Sequence, residues 1–195
     1  MASMAYDTVP VRPDGFTVDD LAEMPNDGRR YELLDGVLLV SPSPRWAHQE
    51  VLRALTSLLH AALPPELRVV PAPFEWRHGL HTALQPDILV TRYDALVAVP
   101  DSTHLEEPPL LAVEVLSPSS RRIDRFSKMA AYEDAGVVSY WLIEPDPREP
   151  SLTALELSGG RYTRVARVVG EETWTAGQPF PITIRPAELV RGLRP

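Results

Sequence analysis

Asp87, Glu114 and Lys128 are the side chains of this sequence best suited to do chemistry together. Asp87 follows Pro86 at the head of an apolar run, and Glu114 lies inside LLAVEVL, a stretch otherwise free of charge. A carboxylate drawn into an apolar interior pairs, protonates or coordinates a cation, because burying it bare is costly. If the two runs are neighbouring strands, their carboxylates converge at one end of a sheet. Hard oxygen ligands so placed suit magnesium, which takes one or two carboxylates and completes its shell with waters and substrate phosphate oxygens. Lys128 stands out by composition, since it is the single lysine among the 19 lysine and arginine residues. Lysine is a compact point charge whose pKa moves on desolvation, whereas arginine stays charged. Against a special role, Asp124 offers Lys128 an ordinary i, i+4 helix pair.

The elements that must position these residues follow from the pattern around them. Thr17 with Asp19 and Asp20 predicts a helix start, with the helix ending near Pro25. RYELLDGVLLV is two extended runs about Asp35-Gly36, the signal of an N-terminal β-hairpin. From Arg45 to Leu63 the residues Trp46, Val51, Leu52, Leu55, Leu58, Leu59 and Leu63 recur at helical spacing, and Pro64-Pro65 stops the helix. Apolar stretches at 67–74, 87–91 and 110–116 read as strands, with a polar loop at 100–109. The last stretch is almost continuously apolar and so central in a sheet. Ser119 or Ser120 can cap a helix running to about Asp134, with Gly136 as its stop. SYWLIE at 139–144 is the next strand, and the passage from 110 to 144 implies a right-handed crossover in a mixed α/β sheet. Runs at 151–157 and 161–169 flank Ser158-Gly159-Gly160 as a C-terminal hairpin, and a short helix starts at Pro186. Residues 1–15 read as a loose tail ahead of one domain over 16–195.

Composition bounds the function. Hydrophobic content of 44% with 24% charged residues argues for a globular chain against wholesale disorder. The absence of cysteine removes disulfides, thiolate zinc sites and cysteine nucleophiles together. No apolar run approaches the roughly 20 residues of a membrane helix, and no export pattern opens the chain, so a cytoplasmic protein off the membrane is expected. A net charge of −8 counts against a broad nucleic-acid surface, yet RRIDRFSK at 121–128 reverses the sign locally. There is no nucleophile elbow, phosphate loop or dinucleotide glycine fingerprint. His78 and His81 lack a third ligand for zinc. A glycosidase would use paired carboxylates but leave Lys128 without a role.

The succession YELLDG, PSPRWAH, QPDILV, AVEVLSPSS and DRFSKMAAYEDAGVVSYWLIEP resembles the Uma-two family of restriction endonucleases, within the PD-(D/E)XK nuclease superfamily, over roughly residues 16 to 185. The resemblance implies a restriction-endonuclease-like mixed β-sheet flanked by helices and a metal-dependent nuclease site. It assigns Asp87 and Glu114 to the metal. The superfamily places a lysine two residues after the glutamate, where this chain has Leu116, so the resemblance moves that role to Lys128 on the following helix. Glu32 matches a further acidic position and His48 a recurring histidine; a strand-edge glutamate facing solvent and a structural histidine are the plainer alternatives.

On these expectations Asp87, Glu114 and the Val115 carbonyl hold Mg2+ or Mn2+, and Lys128 orients the attacking water during hydrolysis of a DNA phosphodiester. Arg121 and Arg125, seven and three residues before Lys128, would steer phosphate, and Tyr132, four after it, would pack against the site. The C-terminal hairpin offers an edge for a homodimer. The competing expectation is a catalytically inactive nuclease fold that binds nucleic acid or protein.

Overall fold

Thr17 begins the first helix, α1 (Val18–Leu21), because the Asp20 carboxylate accepts from both its amide, at 2.8 Å, and its hydroxyl, at 3.0 Å. The computed structural model describes residues 12–193. The tail expected over 1–15 therefore lies outside the described residues as far as position 11, while Arg12 pairs with Asp20 at 2.7 Å. Strands β1 (Arg30–Leu34) and β2 (Val37–Ser41) form the N-terminal hairpin. Asp35 and Gly36 turn it with φ of 50° and 78°, the left-handed pair that a two-residue hairpin turn requires.

Helix α2 (Trp46–Ala62) buries Val51, Leu52, Leu55 and Leu59, although Trp46 at its first position is exposed. There follow β3 (Leu67–Pro71), β4 (Glu75–Arg77), β5 (Ala83–Leu84), β6 (Ile88–Arg92), α3 (Tyr93–Val97), β7 (His104–Leu105) and β8 (Leu111–Val115). A π-helical turn, Ile123–Lys128, then runs directly into α4 (Met129–Asp134). The chain closes with β9 (Ser139–Glu144), β10 (Ser151–Ser158), β11 (Arg161–Val169), β12 (Trp174–Ala176), β13 (Ile182–Ile184) and α5 (Pro186–Leu189).

Six strands form the central sheet in the order β11-β10-β9-β8-β6-β3, antiparallel except between β8 and β9. A parallel neighbour needs a crossover, which the helical passage between them supplies. A second sheet, β2-β1-β5-β4-β7, and the pair β12-β13 complete the mixed α/β architecture. Alternation along β8 divides the core: Leu111, Val113 and Val115 pack with α2, Trp141 and Ile143. Ala112 and Leu116 face the other way, toward Tyr132, Tyr140, Leu142 and Leu34 of the second sheet. Glu114 shares that second face, so the one charge in β8 is aimed at the seam between the sheets and the helix.

The π turn replaces part of the single α-helix expected up to Asp134. Its wider winding turns Asp124 and Lys128 inward together and leaves Phe126 exposed. Tyr140, buried on β9, donates its hydroxyl to the Asp124 carbonyl at 2.9 Å and fixes the turn against the central sheet.

Candidate active site

Lys128 bridges the two sheets. Its Nζ donates to Glu32 Oε1 on β1 at 2.8 Å and to Glu114 Oε1 on β8 at 3.0 Å. Asp124 Oδ1 stands 3.8 Å from the same ammonium, an ion pair beyond hydrogen-bond reach. The Tyr132 hydroxyl donates to Glu114 Oε1 as well, at 3.2 Å. Glu32 is fixed further by the Gln85 amide, which donates to it at 2.8 Å. It is 3% exposed, so the solvent-facing alternative does not describe it.

Asp87 comes from the neighbouring strand. Antiparallel pairing sets Ile88 opposite Val113, which brings Asp87 level with Glu114. Its Oδ2 accepts the Val115 amide at 2.8 Å and lies 3.0 Å from His48 Nε2 at the start of α2. Its Oδ1 accepts from Arg30 Nη1 at 3.1 Å, and the same nitrogen reaches the Gln85 carbonyl at 3.2 Å. His48 Nδ1 is buried with no hydrogen-bond partner among the described residues.

The charges do not balance. Glu32, Asp87, Glu114 and Asp124 are all buried, and the fixed cations among them are Lys128 and Arg30. Fully ionised, four carboxylates against these two cations would leave two negative charges in excess. Burial pushes the Glu114 carboxyl well above its ordinary range; Lys128 opposes the rise, and Asp124, Asp87 and Glu32 add to it. Asp124 is raised too, by burial first, with Lys128 and the Ser120 hydroxyl opposing. Burial also acts upward on Asp87, but His48, Arg30 and the Val115 amide outweigh it and hold that carboxyl low. For Lys128 burial disfavours the charge, and Glu114, Glu32 and Asp124 overcome it, so its pKa is raised. Tyr132 is pushed well above its ordinary value by burial and then by Glu114, so its hydroxyl keeps its proton.

The cluster opens on a cleft of about 350 Å³. Arg45, Ser117, Ser119 and Ser120 extend the lining. Arg121 and Arg125 lie elsewhere: both turn to Glu144, at 2.8 and 4.0 Å, on the outer face of the helix. His81 Nδ1 lies 2.9 Å from the Phe16 carbonyl and His78 stacks on Trp76, so neither joins the cleft.

The sequence matches the family Uma2 (Uma-two), described as "Putative restriction endonuclease", over residues 18–188. The chain belongs to the Uma2 family. Its fold is similar to a crystal structure from Anabaena variabilis described as a "putative nuclease belonging to DUF820", with a TM-score of 0.71 and 18% sequence identity, covering 92% of this chain and 99% of that one. A search of curated proteins finds no match.

The donors of this Uma2 chain fit a hard divalent cation. Asp87 and Glu114 give two carboxylates from adjacent strands, as many as magnesium takes beside water and phosphate. The cluster has more carboxylates than cations, and Asp124 Oδ1 is buried without a hydrogen bond among the described residues. Among the described residues no three His, Cys, Asp or Glu side chains are grouped as ligands of one ion, so waters and substrate would supply the rest. Two participants went unread in the sequence. Arg30 precedes Glu32 by two residues, which in a strand sets both on one face, so the alternation rule could have found it. Asp124 was visible only as a helix partner of Lys128, because helical spacing does not reveal a π turn.

Proposed function

We propose that this Uma2 protein is a divalent-cation-dependent nuclease that hydrolyses DNA phosphodiester bonds. The observation that carries the reading is the buried Lys128 ammonium bonded to Glu114 beside Asp87, in a cleft lined by more carboxylates than cations. Asp87 and Glu114, with the Val115 carbonyl, would hold Mg2+ or Mn2+. A bound ion of this kind polarises a phosphoryl oxygen and acidifies a bound water.

The chain's own residues divide the remaining work. Lys128, kept protonated by its carboxylate neighbours, is unsuited to take a proton and suited to offset charge that develops on phosphate oxygens and to orient water. Tyr132 and Lys128 hold the same oxygen of Glu114, which fixes that carboxylate in one orientation. His48 and the Val115 amide do the same for Asp87. Arg45 and Arg30 provide positive charge at the cleft for a phosphate backbone. DNA is the partner on this reading. Strand β11, at the edge of the six-stranded sheet, would pair two copies where both strands are cut, a step that sedimentation with and without DNA measures.

One observation favours the inactive binding module instead. Arg30 neutralises Asp87 directly, which gives that carboxylate a structural partner without any cation. Incubation of supercoiled DNA, linear DNA and RNA with the purified protein, in magnesium or manganese, separates the readings. Asp87→Asn and Lys128→Gln are assayed beside it after circular dichroism has established that they fold. Metal-dependent cutting lost in both variants supports the nuclease; intact DNA and RNA in every reaction, with no heat of metal binding, would leave the binding module.

A further inference from the structure

We propose that Asp124 belongs to the cation site: the π turn holds its Oδ1 in the cleft without a donor, and a water bound to a hard divalent cation donates to it. The inference rests on the reading of Asp87 and Glu114 as cation ligands and adds a third acidic side chain to it.

Asp124 is 1% exposed, lines the cleft, and its Oδ1 accepts no hydrogen bond among the described residues. A buried carboxylate oxygen left without a donor is unstable unless something charged or protic reaches it. Lys128 does not fill that need. Its ammonium is already engaged by Glu32 at 2.8 Å and Glu114 at 3.0 Å, and stands off at 3.8 Å from Asp124. Two carboxylates already outnumber the single charge of the lysine, so Asp124 is not required to neutralise it.

The backbone is committed to this placement. The π turn, the Tyr140 bond to the Asp124 carbonyl and the Asp124 amide bond to the Ser120 carbonyl, at 2.9 Å each, keep the residue pointing inward. π turns inside helices occur frequently at functional sites. Ordinary winding would suffice for a surface i, i+4 pair between Asp124 and Lys128. A turn that buries both beside Glu114 gathers carboxylates where an additional cation can be held.

The two roles open to Asp124 predict opposite signs. As a structural counter-ion of Lys128, its removal destabilises the metal-free protein and leaves cation affinity unchanged. As the acceptor for a cation-bound water, its removal relieves repulsion in the metal-free protein and weakens cation binding. Asp124→Asn keeps the shape, and Asp124→Ser leaves room for a water should the amide disturb packing. Each is titrated with Mn2+ by calorimetry without nucleic acid and melted in chelator and in saturating Mn2+. The expected result is a metal-free Tm equal to or above that of the unaltered protein, Mn2+ binding weakened about 10- to 100-fold, and most of the metal-induced Tm gain lost. A lower metal-free Tm or failure to fold in both variants, or unchanged Mn2+ affinity in either folded variant, overturns the inference. So does an unaltered protein that binds no Mn2+, a result that also removes the cation-site reading. If the protein binds Mn2+ and loses it in the variants yet cuts no DNA, this inference stands and the nuclease reading alone fails.

Discussion

Lys128 is worth more to this site paired than free. Removing a partner from a buried ion pair leaves an uncompensated charge and costs about 3–5 kcal/mol. Lys128→Met should therefore lower stability by that order, measured by urea unfolding, because Glu32 and Glu114 both lose their cation. The carboxylates set the pH response. Glu114 and Asp124 have folded-state pKa values above their ordinary 4.5 and 3.8. The stability they contribute to the metal-free protein is full below those ordinary values and is lost as pH rises through the raised ones. Asp87 runs the other way, contributing above its ordinary 3.8 and losing that share as pH falls through its lowered value. A cation requires ionised ligands, so the rise in Tm on adding Mg2+ should grow as pH rises from the ordinary carboxylate range through the raised values of Glu114 and Asp124. Melts in chelator and in Mg2+ across that range check it, and a constant increment would count against these carboxylates as ligands. Glu114 and Lys128 were legible in the sequence because each breaks a local rule, a charge in an apolar strand and a lone lysine among arginines. Arg30 and Asp124 break none, since an arginine at a strand end and an Asp–Lys helix pair are ordinary on any surface.

The two hairpins were legible because their turns need left-handed backbone that Asp35-Gly36 and Gly159-Gly160 supply, with φ of 50°, 78°, 60° and 78° in that order. The π turn was not, because its sequence is compatible with plain α-helix and only tertiary contacts select the wider winding. Tyr140 is one such contact, and Tyr140→Phe leaves the Asp124 carbonyl buried without its donor. The expected cost is about 1–3 kcal/mol in chemical unfolding. Metal binding should weaken in the same variant, since Asp124 and Lys128 sit on that turn. Helix α2 works from the opposite face of the central sheet. Leu55 is fully buried there among Val69, Ile88 and Trp141. Leu55→Ala should cost about 2–5 kcal/mol in chemical unfolding while Mn2+ affinity at a stabilising temperature stays unchanged, because the cavity lies behind the sheet and away from the cleft.

The whole molecule carries a net charge of −8, and much of its arginine is spent on acids: Arg53 on Glu50, Arg92 on Asp94 and Glu107, Arg121 on Glu144, Arg161 on Glu133. Binding to DNA therefore has few phosphate contacts to draw on. With Arg30 and Arg45 at the cleft, the slope of log K against log salt should be shallow, roughly −2. A filter-binding series in calcium between low and moderate salt measures it, and a steep slope would place the nucleic acid on another surface. No described helix is long and apolar enough to cross a membrane. The mixed sheet flanked by helices follows from strand periods in the sequence, whereas the seam between its two sheets does not, because strands β4, β5 and β7 are two or three residues long and leave almost no pattern. That seam is where Glu32 and Glu114 meet across Lys128. Anomalous diffraction from crystals grown in manganese would test the meeting point most directly. The account predicts a metal peak in contact with the carboxylates of Asp87 and Glu114 and within reach of Asp124. Manganese absent from those residues at saturating concentration, with Arg30 still bonded to Asp87, would contradict it.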